Sequence, residues 1–362
     1  MQPRYDGVLQ IEPTDLCNLK CTMCAPHHDE WAQIHGVAKG RLDVALFGKI
    51  VDGLVADDCR FDHIIFQWLG DPSLHPNLDG LLKVAAEKMS DRVGYLRVDT
   101  NAIVLTPDRM DGLLDAVRGD VPMLMVFTLD AHTPETYQKV KGQDALERVR
   151  RNIRYMIRQR KARGVPVNVQ LQFVVQEGNA HEARDFLDYW ADLLSCQGGA
   201  QWHDEIMFKR LSVGGGAQGQ AAADALYEKT IAQAEIRAGA HGHVQVQIWE
   251  SRPWQEDDGH SGERGACSGL WITPVIRHDG HLMMCCADLG GELDLGSLSQ
   301  SGFRELWEGP VATQRRLDHI RGRFEGVCAG CGGINWYETT DAMVTAAERR
   351  GRELGLATTA DT

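Results

Sequence analysis

From Gly7 to about Leu211 the chain alternates between two kinds of segment, and that alternation narrows its fold more than any single residue does. Short apolar runs read as strands: Val8–Ile11, His63–Trp68, Tyr95–Val98, Met123–Leu129, Val167–Val175 and Glu205–Arg210. Segments with apolar residues at helical spacing separate them: Val44–Val55, Leu78–Met89, Pro107–Val117, Ala145–Arg163 and His181–Leu194. Thr106-Pro107 and Thr133-Pro134 each set a cap residue before a proline suited to the first helical position. Gly164 and Pro166 close the longest helix. Repeated βα units predict a parallel sheet with right-handed crossovers. Six such units are too few for a closed eight-unit barrel. The expected fold is therefore α/β, a partial (βα)6 TIM-like barrel, with its site on the loops after the strands' C-terminal ends.

At 362 residues there is room for this barrel and a smaller second unit. The expected division is a barrel over 1–212, a linker and helix over 213–265, a Cys-rich domain over 266–338, and a C-terminal helix with a frayed tail over 339–362. A net charge of −13 argues against a nucleic-acid binder, because phosphate contacts need clustered Lys and Arg. The most basic stretch, Arg148 to Arg163, interleaves Val149, Ile153, Met156 and Ile157 at helical spacing and reads as a solvated helix face. No apolar run before Cys17 suits a signal peptide, and none anywhere is long enough to span a bilayer. Ten cysteines without a secretion signal favour metal ligation over disulfides. A cytoplasmic, oxygen-sensitive protein is expected.

Three of those cysteines follow the first strand as Cys17-Asn18-Leu19-Lys20-Cys21-Thr22-Met23-Cys24. Three thiols hold three irons of a [4Fe–4S] cube and leave the fourth iron open, whereas structural sites close their shell with a fourth ligand. This CxxxCxxC stretch resembles the signature of the radical S-adenosylmethionine (SAM) enzymes. In that family the open iron binds the amino and carboxylate groups of SAM, and electron transfer cleaves SAM to a 5′-deoxyadenosyl radical. The resemblance implies that Cys17, Cys21 and Cys24 ligate the cube. It places Met23, where the family usually has an aromatic residue, near the adenine.

Further motifs fall at successive strand ends. Leu69-Gly70-Asp71-Pro72 resembles the family's GGEP motif, with Leu69 for the first glycine and Asp71 for the glutamate that meets the SAM amino group. Asp99-Thr100-Asn101 resembles its Thr-Asn-Gly, and Thr128-Leu129-Asp130 its Ser-Ile-Asp. By that likeness Gly70, Asp71, Pro72, Thr100, Asn101, Thr128 and Asp130 bind SAM or meet substrate. Val174 to Asn179 would contribute to the adenosine pocket. Each motif alone also reads as an ordinary cap or turn.

Cys267, Cys285, Cys328 and Cys331 form a second set, the last two in a Cys-Ala-Gly-Cys turn. The expected hairpin Ile272–His278, Asp279-Gly280, His281–Cys285 carries the second of them. With Trp271, Gly296-Ser297-Leu298 and Glu305-Leu306-Trp307, the region resembles the SPASM or shorter twitch extension. That implies one auxiliary [4Fe–4S] cluster with four protein ligands; spacing alone equally allows a zinc site. Cys286 is the spare, readable as an alternative ligand, a packed thiol or a hydrogen-atom donor; alternation along a strand would turn it away from a metal held by Cys285 and favours the packed thiol. Cys59 and Cys196 read as packed thiols.

A closed auxiliary shell suits electron transfer. Single-auxiliary-cluster relatives include an aminocyclitol dehydrogenase, so the resemblance implies two-electron oxidation of an alcohol carbon in a sugar- or aminocyclitol-like small molecule, in antibiotic biosynthesis, with a flavodoxin- or ferredoxin-type reductant. Rival readings are an epimerase using Cys286, a maturase of ribosomal peptides, and a non-catalytic metal scaffold. A first strand almost at Met1 speaks against a fused leader-peptide-binding domain.

Overall fold

The computed structural model describes residues 7–24, 39–117, 119, 121–195, 203–212, 217–241, 244–249, 265–331 and 338–356. Cys196, Gly332 and Gly333, the stretch 251–264 and the tail from residue 357 lie outside them. The first half alternates β1 (Val8–Ile11), α1 (Val44–Ala56), β2 (Phe61–Phe66), α2 (Leu78–Lys88), β3 (Val93–Thr100), α3 (Pro107–Ala116) and β4 (Met123–Thr128). It continues through α4 (Pro134–Lys141), α5 (Leu146–Arg163), β5 (Val167–Val175), α6 (Ala183–Ser195) and β6 (Asp204–Arg210). Helix α4 was not expected as a helix, although its Thr133-Pro134 start was read correctly. Eight residues show too little apolar periodicity to announce themselves.

Caps start several of these helices: Asp43 accepts from Leu46 N at 2.8 Å, and Asn77 from Gly80 N at 3.2 Å. Gly142 and Gly164 end α4 and α5 in the left-handed conformation that glycine adopts freely. On α5, Val149, Ile153, Met156 and Ile157 are buried, so the basic stretch is an outer helix face as expected. The same helix is pinned to β6 by a buried pair, Arg160 and Asp204, and Asp204 also accepts from Val169 N at 2.9 Å.

β1 to β6 pair in parallel in sequence order, giving the partial barrel. Beyond β6 come α7 (Ala217–Gln233), β7 (Gly239–His241) and β8 (Val244–Ile248), with β8 parallel to β6 and β7 antiparallel to β8. These two strands lengthen the sheet in a stretch read from sequence as connection and helix. Past residue 265 lie α8 (Gly269–Ile272), β9 (Val275–Ile276), β10 (His281–Met283), β11 (Asp294–Ser297), α9 (Phe303–Trp307), α10 (Pro310–Ile320) and α11 (Asp341–Glu353). The expected hairpin is present but shorter, because Ile272 belongs to α8 and the strand stops at Met283. Strand β9 runs parallel to β1, with Gln10 opposite Val275 and Ile11 opposite Ile276, so the C-terminal hairpin continues the barrel sheet. Among the described residues no helix is long and apolar enough to cross a membrane.

One polar contact fastens this junction. Glu12, just past β1, accepts from the His278 ring at 2.7 Å, and both residues are buried. Burial opposes a charge on His278, but the hydrogen bond and charge of Glu12 outweigh it and raise its pKa. A raised folded-state pKa gives stability that is complete below the ordinary histidine value of about 6.5. It is lost as pH rises through the folded value. The Tm difference between the native chain and His278→Gln should therefore be larger at acid than at alkaline pH. A pH-independent difference would contradict this account.

Candidate active site

The loop after β1 carries Cys17, Cys21 and Cys24, all half-buried. Contacts from four other elements hold it. Asp71 N donates to Leu16 O at 2.9 Å, and Asn101 Nδ2 to Asn18 Oδ1 at 2.8 Å. Thr22 N donates to Val140 O of α4 at 3.1 Å, and Thr22 Oγ1 lies 3.2 Å from Gln176 Oε1 just past β5. Gln176 Nε2 reaches Met23 Sδ at 3.8 Å. Gly70 makes the closest approach: a Cβ there would stand 2.3 Å from Thr14 O and 2.5 Å from Leu16 O. The glycine is needed for the β2 tip to lie against the cysteine loop.

Burial, helped by the charge of Asp71, pushes the Cys17 thiol up to about 12. Burial also raises Cys21, against the lowering influence of Lys141. Cys21 and Cys24 both oppose ionisation of the desolvated Cys17, a poor arrangement for thiolates alone. They fit an iron cluster, whose positive irons deprotonate the thiols outright.

The strand-end motif residues converge as their order along the sheet requires, but their polar groups are largely committed to one another. Asp71 Oδ1 accepts from Ser73 N at 2.9 Å, from Ser73 Oγ, and from Thr100 Oγ1 at 2.8 Å; Oδ2 accepts from Asn101 N at 2.7 Å. Asp71 thus braces the β2 tip against the β3 tip, and also caps the short turn opened by Pro72. Asp130 is buried in the left-handed region, φ 58°, and paired at 2.5 Å with a buried lysine, Lys141. Its other oxygen accepts from Val174 N at 2.7 Å, and Asn179 donates to its carbonyl at 2.8 Å. Thr128 remains half-buried on the inward face of β4, opposite Gln172 of β5.

The inward face itself escaped the sequence reading. On β3 Tyr95, Arg97 and Asp99 alternate with the buried Leu96 and Val98. Gln170 and Gln172 on β5, Glu205 and Lys209 on β6, and Gln245 and Gln247 on β8 follow the same parity. Registers put Asp99, Gln170 and Glu205 on one level. Arg97 grips Asp99 with two 2.6 Å bonds, and Gln170 donates to Glu205. Strands β3 and β6 are three apart, roughly 14 Å in a flat sheet. Arg97 and Asp99 nevertheless act on Lys209 electrostatically across that face. Burial, then Arg97, lowers the Lys209 pKa; burial raises that of Glu205. The period-2 polar pattern was the signal that could have revealed this face.

In the C-terminal region Cys267 and Cys285 are buried, and Cys328 and Cys331 half-buried. Cys267 N donates to His319 Nδ1 at 3.5 Å, and His319, Leu270 and Cys328 line one small pocket. Cys328 ends a turn that Glu292 braces by accepting from Val327 N at 2.9 Å. The expectation for Cys286 fails on its premise: β10 ends at Met283, so strand alternation does not reach Cys285 and Cys286. Their thiols hydrogen-bond each other, which lifts Cys285 and lowers Cys286, and Cys267 acts on Cys286 as well. Cys286 therefore lies with Cys285 and Cys267. Its carbonyl accepts from Trp68 Nε1 at 2.8 Å, which ties this group to the β2 tip. Cys59 is fully buried, as expected of a packed thiol.

The family model for the radical SAM superfamily matches residues 11–188, and that for the iron-sulfur cluster-binding domain SPASM matches 267–332. Over 149 residues the chain is 26% identical to GTP 3′,8-cyclase 1 of Mycobacterium tuberculosis; the match takes in 40% of this chain and 38% of that protein. The chain thus spans about two fifths of the length of that curated relative. Native anSMEcpe with bound AdoMet superposes with a TM-score of 0.57 at 15% identity, covering 96% of each chain. SuiB of Streptococcus suis bound to its precursor peptide SuiA gives 0.58 at 13% identity, over 86% of this chain and 67% of that one. At such identities these structures speak for the fold. The cofactors follow from the domains: a [4Fe–4S] cluster with SAM for the barrel, and an auxiliary iron–sulfur cluster for the C-terminal region. The chain belongs to the radical SAM superfamily and carries a C-terminal SPASM domain.

Proposed function

We propose that this enzyme oxidises an alcohol carbon of a polar small molecule of the sugar or aminocyclitol class. The observation that carries this is the inward face of the barrel. Parallel sheets covered on both sides are ordinarily apolar on both. Here Arg97, Asp99, Gln170, Gln172, Glu205 and Lys209 offer donors and acceptors to an occupant with many hydroxyl or amino groups. Oxidation at a carbinol carbon removes one hydrogen atom, one electron and one proton. Cys17, Cys21 and Cys24 would hold a cluster that, with SAM, would supply the hydrogen-atom acceptor, and an auxiliary cluster in the SPASM domain would supply the electron acceptor. The chain orients the substrate and receives the proton. Gln170, Gln172 and the Arg97–Asp99 pair hold hydroxyls. Lys209, on the same inward face, is the group assigned to take the proton. Cys267, Cys285, Cys328 and Cys331 would ligate the auxiliary cluster, and a flavodoxin- or ferredoxin-type protein would be the reductant.

One observation favours a second reading. Cys286 is half-buried and anchored to Trp68 beside the SAM motif, where its thiol would be suited to return a hydrogen atom to a substrate radical. That reaction would be a redox-neutral epimerisation. Turnover in D2O with mass and stereochemical analysis separates the two. A carbonyl product lighter by two hydrogens supports oxidation, and deuterium retained at an inverted carbon overturns it. A modified peptide as the sole product would overturn both. Cys328→Ala should retain SAM cleavage and lose substrate oxidation; unimpaired oxidation would remove the auxiliary cluster from the scheme.

A further inference from the structure

Tyr137, in the middle of α4, is fully buried, and its hydroxyl has no hydrogen-bond partner among the described residues. The charged groups acting on that hydroxyl are Lys141, Cys21, Asp130 and Asp71. Three of the four are already committed. Lys141 is paired with Asp130, whose other oxygen serves Val174 N, and both oxygens of Asp71 serve Ser73, Thr100 and Asn101. Cys21 remains. Buried hydroxyls are almost always satisfied, and one that no described residue satisfies points to a further group held there. Backbone contacts support the placement: α4 meets the cysteine loop through Thr22 N and Val140 O, and a Cβ on Gly142 would lie 3.1 Å from Lys20 O.

We infer that the Tyr137 hydroxyl donates a hydrogen bond to cluster sulfur at the Cys21 corner and thereby raises the reduction potential of the catalytic cluster. Reduction adds negative charge to the sulfurs, so the bond is stronger in the reduced state. Hydrogen bonds to sulfur are among the determinants of cluster potential. The inference rests on Cys21 being a cluster ligand and is independent of which substrate is oxidised.

Tyr137→Phe removes the hydroxyl and keeps the ring. EPR-monitored reductive titration of the anaerobic, two-cluster protein without SAM should show the catalytic cluster about tenfold harder to reduce, ~59 mV lower for one electron. The auxiliary cluster should not move and serves as the internal control. An unchanged midpoint overturns the inference. So does a shift that appears only with SAM bound, which would assign the hydroxyl to SAM. Should the variant fail to hold its cluster, pulsed EPR of the native protein in D2O decides. A deuteron strongly coupled to the reduced cluster and directed from Tyr137 supports the bond, and its absence overturns it.

Discussion

Gly70→Ala is expected to strip the catalytic cluster while leaving the auxiliary one in place. The new methyl group would stand 2.3 Å from Thr14 O, 2.5 Å from Leu16 O and 2.7 Å from Asp15 C. All three are backbone atoms of the segment leading into Cys17, so relief cannot come from a side-chain rotation. Either the β2 tip withdraws, breaking the bond from Asp71 N to Leu16 O, or the cysteine loop moves out of register with its other supports. After anaerobic reconstitution the native protein should carry about eight irons and the variant about four, as one lost cube requires. SAM cleavage should fall at least as far as the roughly 10–100-fold typical of lost support to metal ligands. Full iron content with normal cleavage would show that the loop tolerates displacement.

Lys141→Met should cost the fold heavily. Lys141 and Asp130 are both almost wholly buried, and removal of the lysine leaves a carboxylate in the interior with no cation. Breaking a buried pair in this way costs about 3–5 kcal/mol. The loss should be measurable as a shift in the denaturant midpoint with unchanged slope. The double change Lys141→Met with Asp130→Asn should recover much of it, since no net charge then stays buried. A double variant no more stable than the single one would mean that the lysine's packing, rather than its charge, is what matters.

The barrel was legible because its signals are local. Val167–Val175 and α5 declare themselves through side-chain period, caps and terminal glycines, all within a few residues of one another. The two cysteine regions were legible through spacing, and the family models fall on both. What stayed hidden depends on contacts between distant segments. Asp71 reads in sequence as a group free to meet SAM, and only the fold brings Thr100 and Asn101 onto its oxygens, about thirty residues on. Cys286 looked like a residue facing away from Cys285 because the strand was drawn two residues too long. Strands β7 and β8 lie in a stretch whose Gly-, Ala- and Gln-rich start suggested a connection; β8 is fixed by its pairing with β6 more than by its own composition.

The junction of β1 with β9 carries a consequence for how electrons travel. Gln10 N donates to Pro274 O and Glu12 N to Ile276 O, so the strand that delivers the first cysteine loop is bonded to the strand that opens the second. No hinge intervenes at that seam. The two cysteine-bearing regions are therefore joined through one continuous hydrogen-bonded sheet. A domain that swung to shuttle an electron would have to unzip the edge of the barrel at each turnover and leave β1 an open edge. If the auxiliary cluster takes the substrate electron as proposed, that transfer would be a hop across this bonded seam and would not wait on a domain motion.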